Sequence, residues 1–280
     1  MPVSLSMSLE TILLIAVGGV ITGIIGGLFG VGGGIFLIPF LVLLFDVPMH
    51  QAIATSIVAV IATSSAAASV NVDRRFTNIR LGVLLETGTT AGAVLGGITA
   101  NVLSEAVLSR LFGGLIFVVA ILMARRLWQR AYSRTETGPS ERGKLGASYF
   151  DPALNEEVRY RVSRIPAGLG VSFLAGNISG LLGIGGGIIK VPMMTLLCGL
   201  PMKAAAATSN FMIGVTALAS VFIYYANGHV HAMLTGASVV GVLGGSLVGT
   251  YLSGKLHGKI ITGLFVLILV TIAIRMVLAT

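Results

Sequence analysis

The chain has 280 residues, with 18 lysines and arginines against 10 acidic residues, a formal net charge of +8, 55% hydrophobic residues and only 10% charged ones; its mean hydropathy is +0.98. Soluble domains carry about 25% charged residues, so this chain lacks the polar surface to coat a soluble globule of its size. The basic residues cluster at the ends of apolar runs and in one linker, which is the pattern of membrane topology and argues against nucleic acid as a partner.

Apolar runs fall at roughly 9–45, 50–72, 79–102, 106–124, 165–200, 203–226, 230–252 and 259–279. They are far longer than the roughly 10-residue alternating strands of a membrane barrel, so the expected fold class is an all-α integral membrane protein. The N-terminal stretch "MPVSLSMSLE" has no basic region and is not read as a cleaved signal peptide. The single cysteine, Cys198, leaves no internal disulfide, CxxC redox pair or cysteine-based zinc site, and it reads as a small buried apolar side chain.

The first run contains "GGLFGVGGGIFLIPF", Gly26 to Phe40. As one helix, its roughly 36 residues would reach about 54 Å, against a hydrocarbon core of about 30 Å. The glycines sit near its middle, so the expected structure is a helix, a glycine turn and a second helix. After it come Pro48-Met49 and the pair Thr55-Ser56. Arg74, Arg75 and Arg80 mark the next turn as cytoplasmic, Glu105 lies on the outer side, and Arg125, Arg126 and Arg130 follow the fourth run on the inside. Glu86 is the one carboxylate deep in an apolar run; it reads either as a carrier of a coupling proton or as a partner of Arg80.

The segment 129–164 is polar, is expected to lie in water on the cytoplasmic side, and divides the chain into 1–128 and 165–280. The second part repeats the first. "SGLLGIGGGIIKVPM" occupies Ser179 to Met193, and Gly32, Gly33 and Gly34 align without a gap on Gly185, Gly186 and Gly187. Pro39 aligns on Pro192, and Thr55-Ser56 on Thr208-Ser209; "AVLGG" at Ala93 to Gly97 later matches "GVLGG" at Gly241 to Gly245. Lys255 and Lys259 place the last loop inside, although its counterpart at Glu105 is outside. The halves are therefore expected to be inverted-topology repeats, each a glycine-broken helical hairpin plus three transmembrane helices, with both termini outward. Whether the hairpins cross fully or re-enter is left open.

Neither glycine run is a soluble nucleotide motif. The G-x-G-x-x-G spacing is not clean and lacks its acidic residue, and the Gly-Lys-Ser/Thr of a P-loop is absent. Non-helical backbone at membrane depth survives where it lines a cavity or is buried in protein, and free amides at a new helix start attract anions. Interrupted helices in inverted repeats are the usual build of a secondary transporter, with its site near the midplane; close packing through small residues is the competing explanation. The candidate substrate-binding residues are Gly32, Gly33, Gly34, Thr55, Ser56, Asn177, Gly185, Gly186, Gly187, Lys190, Thr208, Ser209 and Asn210, with Glu86 for proton coupling. Lys190, three residues past the second triple glycine, costs roughly 2.5–3.5 kcal/mol to insert, and reads either as an anion ligand or as a lysine reaching for the interface. The Thr-Ser hydroxyls either donate to an oxyanion or bond carbonyls one turn earlier. His229 and His231 read as surface residues of an outer loop. No catalytic group, metal site, cofactor or ATP-binding motif is expected.

The two copies of the glycine pattern, each followed by Pro-Met and Ala-Thr-Ser, and the linker "YFDPALNEEVRYRVSRIPAG" together resemble the sulfite exporter TauE/SafE family, also called the toluene sulfonate uptake permease superfamily. The resemblance covers nearly the whole chain. It implies a prokaryotic inner-membrane permease for small sulfur-containing anions such as sulfite, sulfoacetate or another organosulfonate. An anion channel, or a relative carrying a different small anion, is the alternative. The expected partners are a small anionic substrate and membrane lipid, and association as a homodimer stays open.

Overall fold

A computed structural model describes residues 8–29, 33–128, 145–151, 155–253 and 267–276. It is almost entirely helical. The first half forms α1 (Leu9–Phe29), α2 (Gly34–Phe45), α3 (Met49–Asp73), α4 (Ile79–Val102) and α5 (Glu105–Trp128). The second forms α6 (Ile165–Leu182), α7 (Gly187–Leu196), α8 (Met202–Ala226), α9 (Ala232–Ser253) and α10 (Leu267–Met276). Among the described residues, six helices are long and apolar enough to cross a membrane: α1, α3, α4, α6, α8 and α9. The chain is a multi-pass α-helical membrane protein. Lys255 and Lys259, and residues 129–144 and 152–154 of the polar segment, lie outside the described residues.

Each long first run is broken where the glycines stand. Gly33 (φ +76°) caps α2, and Gly186 (φ +70°) caps α7. Both are in the left-handed region, where an L side chain is strained and glycine is not. With 12 residues, α2 is about 18 Å long, and with 10 residues α7 is about 15 Å. Neither spans a core of about 30 Å. Pro39 and Pro192 occupy the same place in these half-helices, and Pro48 and Pro201 stand at the entry to α3 and α8 with nearly the same backbone angles.

The α6–α7 hairpin begins and ends at one end of the bundle, because the Ser163 amide donates to the Cys198 carbonyl at 3.1 Å. Between these ends, the Cβ that an alanine would carry at Gly186 would sit 3.0 Å from the Ala175 carbonyl oxygen, halfway along α6. The second half-helix therefore stops in mid-bundle. The same end carries an antiparallel β-hairpin, β1 (Ala147–Asp151) and β2 (Glu156–Tyr160). It is seated against the α3–α4 turn: Asn78 Nδ2 donates to the Leu145 carbonyl at 3.0 Å, and the Phe76 and Tyr149 rings meet edge to face at 5.3 Å. Tyr149, Val158 and Tyr160 are buried with Leu81, Met193 and Cys198, so this part of the polar segment is not wholly in water as expected from its charge.

The opposite end joins the start of α3, the end of α4 and the α8–α9 turn. His50 Nε2 lies 2.9 Å from the Ala100 carbonyl, its ring stacks on His229 at 4.9 Å, and His229 Nε2 lies 2.8 Å from Asn101 Oδ1. His229 is thus a half-buried contact between the halves and not the free surface residue that its loop suggested.

Glycine faces let the helices of different halves approach closely, as small residues do in membrane bundles. On α4, Gly92 and Gly96 lie against the backbone of Phe173 and Asn177 of α6, and Gly176 and Gly180 answer from α6 against Thr89 and Ala93. Gly23 of α1 and Gly241, Gly245 and Gly249 of α9 form a second such seam. Between the seams, α3 packs on α8. The main apolar core surrounds α2, α3 and the inner face of α5.

Candidate functional site

The site is built around the start of α7. The first amides of a helix have no intrahelical acceptor, and those of Gly187 and Ile188 find none among the other described residues. One turn on, Lys190 is 0% exposed. Its chain runs back beside the turn, with Cε 3.5 Å from the position of a Cβ at Gly186. Its ammonium donates to Thr216 Oγ1 of α8 at 2.6 Å, and Thr216 Oγ1 donates to Glu86 Oε1 of α4 at 2.6 Å. Glu86 Oε1 also accepts from Thr90 Oγ1 at 3.1 Å. Lys190 Nζ and Glu86 Oε2 are 3.9 Å apart, too far for a direct hydrogen bond, and Oε2 has no hydrogen-bond partner. A crevice of about 500 Å³ between α4 and α8 reaches Glu86, lined also by Val83, Thr87, Thr90, Phe211 and Val215.

Ser209 of α8 faces the same turn. Its Oγ is buried, has no hydrogen-bond partner, and lies 3.6 Å from the position of a Cβ at Gly187. Ile213 follows one turn later, packed on Gly185 and Gly187, and Thr216 completes the stripe. Ser209, Ile213 and Thr216 share one face of α8 by helical spacing.

The two glycine turns meet. Ser56 Oγ of α3 donates to the Gly183 carbonyl at 2.8 Å, and a Cβ at Gly34 would sit 2.6 Å from Ser56 Oγ and 3.2 Å from that carbonyl oxygen. Ser56 therefore bridges the turns, and its hydroxyl is already committed. Gly32 lies outside the described residues.

The remaining candidates are not drawn into this cluster by any hydrogen bond. Thr208 Oγ1 accepts from the Asn78 amide at 3.0 Å, tying α8 to the start of α4. Its repeat counterpart Thr55 lies 3.4 Å from Thr235 Oγ1 at the start of α9. Both threonines join α3 or α8 to a neighbouring helix. Asn177 has its backbone against Gly92 and Gly96 on the α4 side of α6, and Asn210 is half-buried beside Ser209.

Two features are absent from the sequence reading. Thr216, the group joining Lys190 to Glu86, was not a candidate, although it stands two turns from Ser209 on the same helical face. Arg80 is the structural partner that the sequence offers Glu86, but among the described residues the ion-pair partner of Glu86 is Lys190 from the other half, and Arg80 is exposed. The physical reason is depth: Arg80 sits in the first turn of α4 at the linker end, while Glu86 lies almost two turns further in.

A profile of the family described as Sulfite exporter TauE/SafE matches residues 15–276. The chain is 27% identical to the probable membrane transporter protein YunE of Bacillus subtilis over 94% of this chain and 96% of that protein. It is 25% identical to the probable membrane transporter protein MJ0441 of Methanocaldococcus jannaschii over 75% of this chain and 71% of that one. A shorter stretch, 26% of the chain, is 45% identical to 16% of the Sulfite exporter TauE/SafE family protein 2 of Arabidopsis thaliana. No solved structure matches the chain. With the match covering the chain from Ile15 to Met276, the protein belongs to the sulfite exporter TauE/SafE family, a family of membrane transporters.

Proposed function

We propose that the protein is a secondary transporter for a small sulfur-containing anion, such as sulfite, sulfoacetate or another organosulfonate, moved by alternating access around the second glycine turn. The observation that carries this reading is Lys190: a wholly buried cation one turn from a helix start whose first amides have no partner among the described residues, with an unpartnered serine hydroxyl facing that same helix start. Buried polar groups in native proteins are almost always satisfied, and the exceptions call for a reason. An oxyanion at this place would accept from Ser209 and from the Gly187 and Ile188 amides, replacing the water that it gives up, with the charge of Lys190 close by. Glu86, facing Lys190, is positioned to take up a coupling proton.

In this reading 1–128 and 165–280 are repeats of opposite orientation, joined by the 129–164 linker in the cytoplasm, in a prokaryotic inner membrane. Support for the opposite orientation comes from the hairpin ends. The α6–α7 hairpin opens at the linker end, whereas α2 leads into α3 at the His50–His229 end.

Thermal unfolding of the purified protein in detergent tests the substrate class, using sulfite, thiosulfate, sulfate, sulfoacetate and taurine. A ligand at 100 times its dissociation constant should stabilise the protein by about 2.7 kcal/mol. Saturable uptake into liposomes supports a transporter; flux rising linearly with concentration would identify an anion channel instead. Stabilisation and uptake by none of these anions would remove the sulfur-anion assignment.

A further inference from the structure

We propose that the site at the second glycine turn takes a singly charged anion together with one proton, so that each transport cycle is electroneutral. The inference rests on the reading of the protein as an anion transporter and narrows its substrate to the singly charged members of that class, bisulfite or a simple organosulfonate, so that the doubly charged sulfoacetate falls outside it.

The argument begins with what the buried groups lack. Lys190 makes one hydrogen bond among the described residues, to Thr216, and an ammonium has three donors. Glu86 Oε2 has no hydrogen-bond partner and stands 3.9 Å from the same ammonium. The pair is compensated in charge but unfinished in hydrogen bonding. The lysine chain also passes the turn at Gly186, and the next residue, Gly187, has the unpartnered Ser209 hydroxyl against it. One cation therefore stands beside a resident carboxylate, with two of its own donors unused, in the half-helix whose start carries the unpartnered donors.

Charge decides what fits. The groups facing Glu86 are Lys190 from α7, Thr216 from α8, and Thr89 and Thr90 on α4 itself. Lys190 is the only cation among them. The repeat counterpart of Lys190 is the buried Leu37, so the other half adds no second cation there. Empty, the site holds one ammonium and one carboxylate, and its net charge is zero. A monoanion bound to Lys190 restores zero only when Glu86 gains a proton. An O–H bond then forms at Glu86 on the loading side, with the proton drawn from water, and breaks on the unloading side, with the proton returned to water. Anion and proton move in the same direction, and neither the empty nor the loaded site carries net charge across the membrane. A dianion would leave one negative charge buried without a partner, because a helix start offers only about half a unit of positive charge.

The test uses wild-type protein in liposomes with an internal pH dye and a potential clamped by potassium and valinomycin. The probes are methanesulfonate and bisulfite as monoanions, and sulfate and thiosulfate as dianions, with protein-free liposomes as the blank. The expected result is uptake of monoanion with one proton per anion, at a rate indifferent to the sign of the potential. Dianions should compete at least about a hundredfold more weakly, the conservative end of an uncompensated buried charge. Glu86→Gln should stop the proton flux and make uptake depend on the potential, since its empty site would return with a net positive charge. Wild-type uptake that follows the potential without protons, or equal transport of dianions, overturns the inference while leaving the sulfur-anion reading intact. Uptake of none of the four anions overturns that reading and this inference with it.

Discussion

Replacing Lys190 with methionine removes the buried cation and keeps an unbranched chain of similar length; replacing Glu86 with glutamine removes the charge opposite. The structure sets the scale of both effects. The charged atoms are 3.9 Å apart and the side chains are 0% and 8% exposed. At that distance, with an effective dielectric of about 20, the attraction is about 4 kcal/mol. Breaking a buried pair by removing one partner costs about 3–5 kcal/mol, because the remaining charge is stranded. Each single variant should therefore lower unfolding stability by an amount of that order. The double variant, with neither charge left, should recover most of the loss while failing to transport. Reversible denaturant unfolding in detergent micelles, read by circular dichroism, gives the four corners of the cycle. If the double variant loses the sum of the two single losses, then Lys190 and Glu86 do not sense one another. The charge argument for the site would then fail.

Thr216→Val keeps the shape of the side chain but removes its hydrogen bonds to Lys190 and Glu86; with hydrogen bonds to charged groups worth about 1.5–3 kcal/mol, a stability loss of that order together with impaired uptake is expected, measured by denaturant unfolding and liposome flux. Gly186→Ala forces an L residue into the left-handed region at a cost of roughly 1–2 kcal/mol and places its Cβ 3.0 Å from the Ala175 carbonyl oxygen, whereas Gly170→Ala, with open space at that position in mid-α6, should be neutral or stabilising in the same melting experiment. Burial and the neighbouring His50 hold the His229 imidazole below the usual histidine range, with Glu105 pulling weakly the other way. The neutral ring is thus the one that the fold favours. Its stabilising contribution is full above the ordinary value of about 6.5 and is lost as pH falls through the lower folded value. The melting temperature should drop on acidification less steeply in His229→Asn than in wild type. Single cysteines at Ser140 and Gly228, in a Cys198→Ala background, should label from opposite sides in intact cells; labelling from the same side would rule out the proposed orientation.

The broken hairpins were legible because a triple glycine cannot be held in a continuous helix at membrane depth, and an apolar run too long for one pass needs a break. The duplicated glycines and prolines, at one constant spacing, marked the second hairpin from the first. Lys190 and Glu86 were each visible as a charge out of place, but their pairing was not, since they stand in different halves and no local periodicity relates α4 to α7. Thr216 was hidden for another reason. A threonine inside an apolar helix most often bonds the carbonyl a turn earlier, and Thr216 does lie 2.9 Å from the Met212 carbonyl as well. Its second role arises only when three helices meet. The β-hairpin of the linker escaped notice because its charges dominate its composition, although Val158 and Tyr160 alternate with them in the two-residue period of a strand with one buried face.

The glycine seams divide the molecule differently from its sequence. Along α4 and α6 the backbones touch so closely that Gly92, Gly96, Gly176 and Gly180 leave no room for a methyl group, and the seam between α1 and α9 is built the same way. Each seam joins a helix of the first half to a helix of the second. A motion that pulled residues 1–128 away from 165–280 as two blocks would tear both seams at once. The most closely joined pairs are therefore hybrids, α1 with α9 and α4 with α6, and between them α3 meets α8. The bridge from Ser56 of α3 to Gly183, and Thr216 of α8, which Lys190 bonds, belong to these two helices. Any motion of the proposed transport cycle has therefore to keep these mixed pairs together.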